Sequence, residues 1–451
     1  MHRKFRRWLG LLLVTAVASA GWIVATPQPA SAATSDTVYY WNGVLLDVFR
    51  RQGGGPGPLA RGAAMMHAAI FDVLNTAYWV RLDFIGSGFR PALGWGYSED
   101  KNVNDDLAAG LAARNVLIDA FPAQRTYIEQ RYSQRHGTAA QASATTLANS
   151  VVSLVRGNRA NDGANATVTY TPSTVPGAWR PTGGPCTSAV DPHWGRVRPF
   201  ALSSPSEARR PFPGGYSTYT SLLASSLYAT QLNEVKSLGR NTSTTRSAEQ
   251  TRIAHFWAND LDGTYKPPGQ LLDHTRVVAQ ARLSTAYLAV SRLFTRVSFA
   301  LADATITAWN HKYETAIDLW RPITGIQRAG EDGNSSTTAD TTWQPLGSTP
   351  CFPAWTSGHA TLGGAWAGVM NVVIGSNISF TGGTNDPNAV GVTRTFANFN
   401  QAATENGRSR IYLGVHFQFD ADDGLASGGT VATKANTKMA HFTCFQGCAP
   451  Y

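Results

Sequence analysis

The sequence predicts an all-α fold, a helical bundle crossed by long ordered loops, and three observations carry that prediction. Apolar residues recur at i, i+3, i+4 and i+7 through most of the chain. No pair of alternating apolar runs joined by a short turn signals a sheet. The stretch CFPAWTSGHATLGGAWAGV, Cys351 to Val369, follows a Ser-Gly-His triplet with Gly363, Gly364, Ala365, Ala367 and Gly368. Glycine costs about 1 kcal/mol per helix position relative to alanine. A helix built this way needs a neighbouring backbone pressed against it, which places it at the centre of the bundle with its N-terminus facing a pocket.

The elements follow in order. YYWNGVLLDVFRR and LARGAAMMHAAIFDVLNTAY read as amphipathic helices, and further helical runs cover 103–120, 123–135 and 138–156. Residues 158–214 are dense in Pro, Gly and Thr but carry Trp179, Cys186 and Trp194, so they read as an ordered loop wrapped over the bundle. Helices resume at 216–237 and 245–259, then a run almost free of Gly and Pro extends from Leu272 to about Trp309. The last helices are expected at 359–375, 391–405 and 422–438. The organisation is residues 1–32 as a signal peptide, 33–300 as an N-terminal helical region, and 301–451 as the chemistry-bearing region packed with it as one unit.

The first residues are basic (MHRKFRRWLG), then apolar, then small-residue-rich at PASAA, which predicts export with cleavage after Ala32. Arg6-Arg7 is a partial twin-arginine pattern, and ordinary Sec export fits equally. Residues 1–32 hold Arg3, Lys4, Arg6, Arg7 and no acid, so their removal takes the formal charge from +9 to +5. That mild basicity gives no case for nucleic-acid binding, and no later segment reads as a membrane span. Four cysteines in an exported chain favour two disulfides over a zinc site, which lacks C-x-x-C pairs. Of the three connectivities, Cys186–Cys351 with Cys444–Cys448 is preferred.

Three segments concentrate the chemistry: AWNHKYETAIDLWRPITGI with Lys312 and Arg321, the stretch with Ser357, Gly358 and His359, and SRIYLGVHFQFDAD with Arg410, His416 and Asp420. Together they offer three cations, two imidazoles, a hydroxyl and a helix N-terminus. That set suits a highly charged tetrahedral oxyanion, because Arg donates bidentately, Lys adds a point charge and a helix start offers orphan N–H groups. Gly358 lets the backbone approach an oxygen closely. One imidazole can serve as general acid or base and the other as a nucleophilic or ligating nitrogen. Arg410 and His416 lie on different faces of an ideal helix, so a shared site requires a bend near Gly414. His67, His255, His274 and His441 read as satisfied core histidines.

These segments resemble the Lys-x6-Arg-Pro, Pro-Ser-Gly-His and Ser-Arg-x5-His signature shared by type 2 phosphatidic acid phosphatases, bacterial acid phosphatases and vanadium-dependent haloperoxidases. FPAWTSGHATLGGA, with Phe352 five residues before the serine, and Trp309 three before the lysine, are similar to the chloroperoxidase branch. The resemblance implies the helical bundle of that type, and vanadate as cofactor, with phosphate able to occupy the same place. It implies that Lys312, Arg321, Ser357, Gly358 and Arg410 hydrogen-bond the oxyanion, that His416 bonds vanadium, and that His359 is the acid/base. Phe352 and Trp309 would line the halide pocket and Asp420 would support the site from behind. Hydrogen peroxide and halide would be the substrates, hypohalous acid the product, and an organic molecule a possible acceptor. An acid phosphatase working through phospho-His416 is the alternative reading. This sequence departs from the signature at two points. Eight residues separate Lys312 from Arg321 instead of six, so the segment ETAID must bulge or break if both are to reach one site. Thr356 stands in the proline position.

Overall fold

A computed structural model describes residues 35–82, 91–184, 186–283 and 286–440. The predicted signal peptide, His441, Cys444 and Cys448 lie outside the described residues.

The first five helices are α1 (Ser35–Gln52), α2 (Pro56–Arg81), α3 (Asp105–Ala120), α4 (Arg125–His136) and α5 (Ala142–Arg159). Proline in the first turn opens α2, where its missing N–H costs nothing. Asn104 caps α3 by accepting from the Leu107 N–H. The loop after α5 is ordered as expected: Trp179 and Trp194 are buried, and the buried Asp303 carboxylate accepts the backbone N–H groups of Phe200, Ala201 and Leu202.

Next come α6 (Tyr219–Leu223), α7 (Ser226–Leu238), α8 (Ala248–Ala258), α9 (Lys266–Arg282), α10 (Tyr287–Tyr313) and α11 (Pro322–Gln327). Two expectations need correction here. The expected helix 216–237 is two, because Ser225 ends the first turn and caps α7 on the Tyr228 N–H. The long run from Leu272 is also two helices; α9 starts earlier, with Pro267 and Pro268 in its first turn, and stops before α10.

The chain closes with α12 (Gly358–Val373), β1 (Phe380–Gly383), β2 (Thr393–Phe396), α13 (Phe399–Tyr412) and α14 (Gln418–Lys438). The antiparallel pair β1–β2, with Phe380 opposite Phe396, was not expected from the sequence. It takes the residues assigned to the front of a helix at 391–405, so α13 begins at Phe399. Phe380, Phe396 and Phe399 pack together and against Trp366 of α12, which gives the hairpin its buried face.

Helix α10 is buried along most of its length and lies between the N-terminal helices and the α12–α14 layer. The expected close approach around α12 is made by α14. A Cβ on Gly364 would sit 2.5 Å from the Leu425 carbonyl oxygen, and one on Gly428 would sit 2.3 Å from that of Thr361. The two helices therefore touch backbone to backbone, which fixes the N-terminus of α12 against the start of α14. Among the described residues no helix is long and apolar enough to cross a membrane.

Two further expectations are adjusted. Cys186 and Cys351 are thiols hydrogen-bonded to each other, with no disulfide among the described residues. His67 is fully buried but neither ring nitrogen has a partner among the described residues, so it is a core histidine without being a satisfied one.

Candidate active site

The site forms where the ends of α10, α12 and α13 meet the start of α14. Ser357 caps α12, its Oγ accepting from the Ala360 N–H and its own N–H donating to the Asp420 carbonyl at 2.9 Å. The Ser357-Gly358-His359 triplet thus begins a buried helix, with positive dipole and orphan N–H donors directed at the site. Arg410 ends α13. The chain then turns at Gly414, whose φ of +84° falls in the left-handed region that glycine adopts without penalty. This is the required bend, and it returns His416 to the site just before α14.

Arg321, Arg410 and Lys312 are fully buried together with Ser357, and His416 and His359 are nearly so. Arg321 donates from Nε to the Phe352 carbonyl at 2.7 Å and from Nη1 to the Val415 carbonyl at 2.8 Å. The same Nη1 lies 3.0 Å from His416 Nε2. His416 Nδ1 faces Asp420 Oδ2 at 2.9 Å, so Nδ1 carries the proton and Nε2 presents its lone pair. Burial, with Arg321 and Lys312 beside it, holds the His416 pKa well below the ordinary imidazole value. Burial raises the Asp420 carboxyl to about 7, against the Phe417 N–H and the two cations that pull it down.

Lys312 reaches the site because α10 ends at Tyr313 and residues 314–320 are irregular, so the two extra residues are absorbed in a break rather than in a rotated helix. Its Nζ donates to the carbonyls of Pro353 (2.8 Å), Ala354 (3.1 Å) and Thr356. An ammonium has three donors, and all are spent on the loop leading into Ser357. Lys312 therefore contributes charge and holds the loop, where the resemblance implied a direct bond to an oxyanion. Burial, then Arg321, lowers its pKa. Phe352 is wedged between the two cations, its ring centre 5.0 Å from Lys312 Nζ and 4.8 Å from Arg321 Cζ, and it packs on Trp309 at 4.7 Å.

His359 lies 3.0 Å from the Ala258 carbonyl through Nε2. That partner is an acceptor only, so Nε2 carries the proton and Nδ1 is free to take one. Burial, then Arg410, lowers its pKa to about 4, so the ring is neutral at ordinary pH.

The sequence reading missed Asp260. Its Oδ2 pairs with Arg410 Nη2 at 2.7 Å and its Oδ1 lies 3.9 Å from His359 Nε2. Burial pushes its pKa up, but Arg410 and His359 outweigh that and leave it below the ordinary carboxylate value. The corner is fixed by Asn259, a left-handed helix cap that binds Gln270 and Thr384 and donates its N–H to Asp386. Only the αL-tolerant asparagine hints at this corner in sequence, and it says nothing of the distant partners.

The polar atoms still open are informative. Three donor nitrogens, Arg321 Nη2 and Arg410 Nε and Nη1, and one acceptor, Asp420 Oδ1, are buried with no hydrogen-bond partner among the described residues. Leaving a buried donor unpaired costs about 1–3 kcal/mol, and more on a charged group. Two guanidinium groups held this way fit a tetrahedral oxyanion such as vanadate or phosphate.

Residues 292–443 match the family model described as the VCPO second helical-bundle domain. Vanadium chloroperoxidase of Curvularia inaequalis is 32% identical over 237 residues, a match that spans 40% of this chain and only 37% of that protein. Among solved structures, a bacterial vanadium-dependent iodoperoxidase superposes with a TM-score of 0.75 at 23% identity, covering 93% of this chain and 100% of its own. The holo form of a bacterial vanadium-dependent chloroperoxidase superposes with a TM-score of 0.63 at 17% identity, covering 92% and 94%. Residues 292–443 thus resemble the VCPO second helical-bundle domain, and the described residues have the fold of the bacterial vanadium haloperoxidases.

Proposed function

We propose that this protein is an exported vanadate-dependent haloperoxidase that oxidises halide with hydrogen peroxide to hypohalous acid. The observation that carries the reading is the pair of buried guanidinium groups, Arg321 and Arg410, with three nitrogens left unpaired beside His416. The curated chloroperoxidase and the two superposed peroxidases support it. Arg321, Arg410, the N-terminus of α12 at Ser357 and Gly358, and the charge of Lys312 would hold vanadate, with His416 Nε2 as its nitrogen ligand. Bound there, vanadate supplies an electrophilic centre already at its highest oxidation state, which activates peroxide without a reductant.

The remaining work falls to the chain. Asp420 keeps the His416 proton on Nδ1, so the other nitrogen stays a donor of electrons. His359, neutral with its Nε2 proton held by the Ala258 carbonyl, would serve as general base and then general acid through Nδ1. Phe352 and Trp309 place aromatic surface beside Lys312 and would line the halide pocket. In an exporting, oxidising setting, the neighbouring Cys186 and Cys351 would close to a disulfide.

The test is a paired assay. Protein loaded with orthovanadate is given peroxide, halide and an activated diketone, while vanadate-free protein is given a phosphomonoester. Halogenation that disappears in His416→Ala is the expected result. Phosphomonoester hydrolysis alone, inhibited by vanadate, would replace this reading with the acid phosphatase.

A further inference from the structure

The altered spacing between Lys312 and Arg321 has a structural counterpart in residues 314–320. At 100° per residue, an offset of nine would put Arg321 about 180° away from Lys312 on a continuous helix, whereas an offset of seven would keep them on one face. The helix ends instead, and the freed segment is tied down on both sides. Trp179 N–H donates to the Asp318 carbonyl at 2.6 Å, Trp320 N–H to that of Gly177 at 2.7 Å, and Ala354 N–H to that of Leu319 at 2.8 Å. Residues 318–320 thus run between the 177–179 loop and the loop leading into Ser357, with Arg321 as the next residue.

The anchor of this strap is one side chain. Asp318 accepts from the Tyr170 hydroxyl on Oδ2 and from the Tyr219 hydroxyl on Oδ1, while its own N–H donates to Tyr219 Oη at 3.1 Å. Tyr170 comes from the Pro/Gly-rich loop and packs edge-on against Tyr313, the last residue of α10, at 5.2 Å. Tyr219 opens α6. The clamp therefore joins three separate parts of the chain three residues before a guanidinium that two backbone carbonyls, His416 and the Phe352 ring orient at its tip.

We propose that Asp318, clamped by Tyr170 and Tyr219, is a positioning residue that sets Arg321 for oxyanion binding. This rests on the oxyanion-site reading above. Asp318 touches no reacting atom and acts through Arg321.

A double-mutant cycle on the whole mature protein tests it, with orthovanadate and, separately, inorganic phosphate titrated by calorimetry and melting temperature recorded for each variant. Asp318→Ala should weaken orthovanadate binding about tenfold in the wild-type background and less than twofold in the Arg321→Ala background, as expected of coupled residues. The milder Tyr170→Phe and Tyr219→Phe pair, which keeps both rings, should weaken binding in the same direction. Turnover at saturating orthovanadate should stay within twofold. The proposal is overturned if the Asp318 and tyrosine variants lower the melting temperature but leave oxyanion affinity unchanged, or if their effect is as large without Arg321 as with it. Wild-type protein that binds neither anion overturns both this proposal and the site reading, whereas tight binding without halogenation overturns the haloperoxidase reading alone.

Discussion

Asp260 and Lys312 show how single side chains set the site from its edge. Asp260 favours the charged form of His359, while burial and Arg410 oppose it, and the balance leaves a pKa of about 4. On the proposed function the neutral ring would accept the proton, so turnover should fall as pH drops through that value. Removing the carboxylate charge with Asp260→Asn takes away an influence that raises the pKa, and the acid limb of kcat/KM should move to lower pH. A limb that stays in place or moves up would remove Asp260 from this role. The same depressed pKa enters stability: the unfolded imidazole takes a proton near 6.5, so this contribution is present above that pH and is lost as pH falls towards 4. Lys312 makes a different prediction. Lys312→Met strips the donors from three carbonyls of the 353–356 loop, and each buried acceptor left unpaired costs about 1–3 kcal/mol. Chemical denaturation should register a loss of roughly 3 kcal/mol, together with weaker oxyanion binding as the loop into Ser357 relaxes.

At the scale of elements, the contact between α12 and α14 separates two neighbouring glycines. A Cβ at Gly428 would press on the Thr361 carbonyl oxygen at 2.3 Å and the Ala365 nitrogen at 2.6 Å, both backbone atoms that cannot swing away. One residue on, Gly429 has nothing within 4 Å of the same position. Gly428→Ala should therefore force the helices apart, cost about 1–3 kcal/mol, and weaken vanadate binding by shifting the N-terminus of α12. Gly429→Ala should be neutral or stabilising by up to about 1 kcal/mol, since it only removes a helix penalty. Equal effects in thermal melts would contradict the packing argument. The small-residue helix was legible because glycine in a helix demands a compensating contact. The break between α9 and α10 was not, because no proline or glycine marks it in that run, and both elements keep their apolar faces. The β1–β2 pair was missed because its strands are four residues each, too short to establish an alternating pattern.

Across the whole molecule, the cations and imidazoles of the site were readable as three segments, while the arrangement that makes them cooperate was not. Arg321, Ser357, His359, Arg410 and His416 converge as anticipated, and the bend at Gly414 was inferable from the mismatch of helical faces. Asp260 approaches from a corner 150 residues before Arg410, and the Asp318 clamp spans 148 residues to Tyr170, so no local pattern announces either. The sequence thus carries the donors, and the long-range fold carries their orientation. That division predicts how the folded state should respond to ligand. An anion that binds only the native arrangement stabilises it by about 2.7 kcal/mol at one hundred times its Kd, so saturating orthovanadate should raise the melting temperature measurably. Because Arg321 and Arg410 are fully buried, the rise should persist when salt is increased, unlike an effect of exposed cations. The double substitution Arg321→Ala with Arg410→Ala should abolish the shift, whereas His416→Ala should retain part of it, since the guanidinium groups remain. A shift equally large in the double variant, or one erased by moderate salt, would place the anion somewhere other than this buried site.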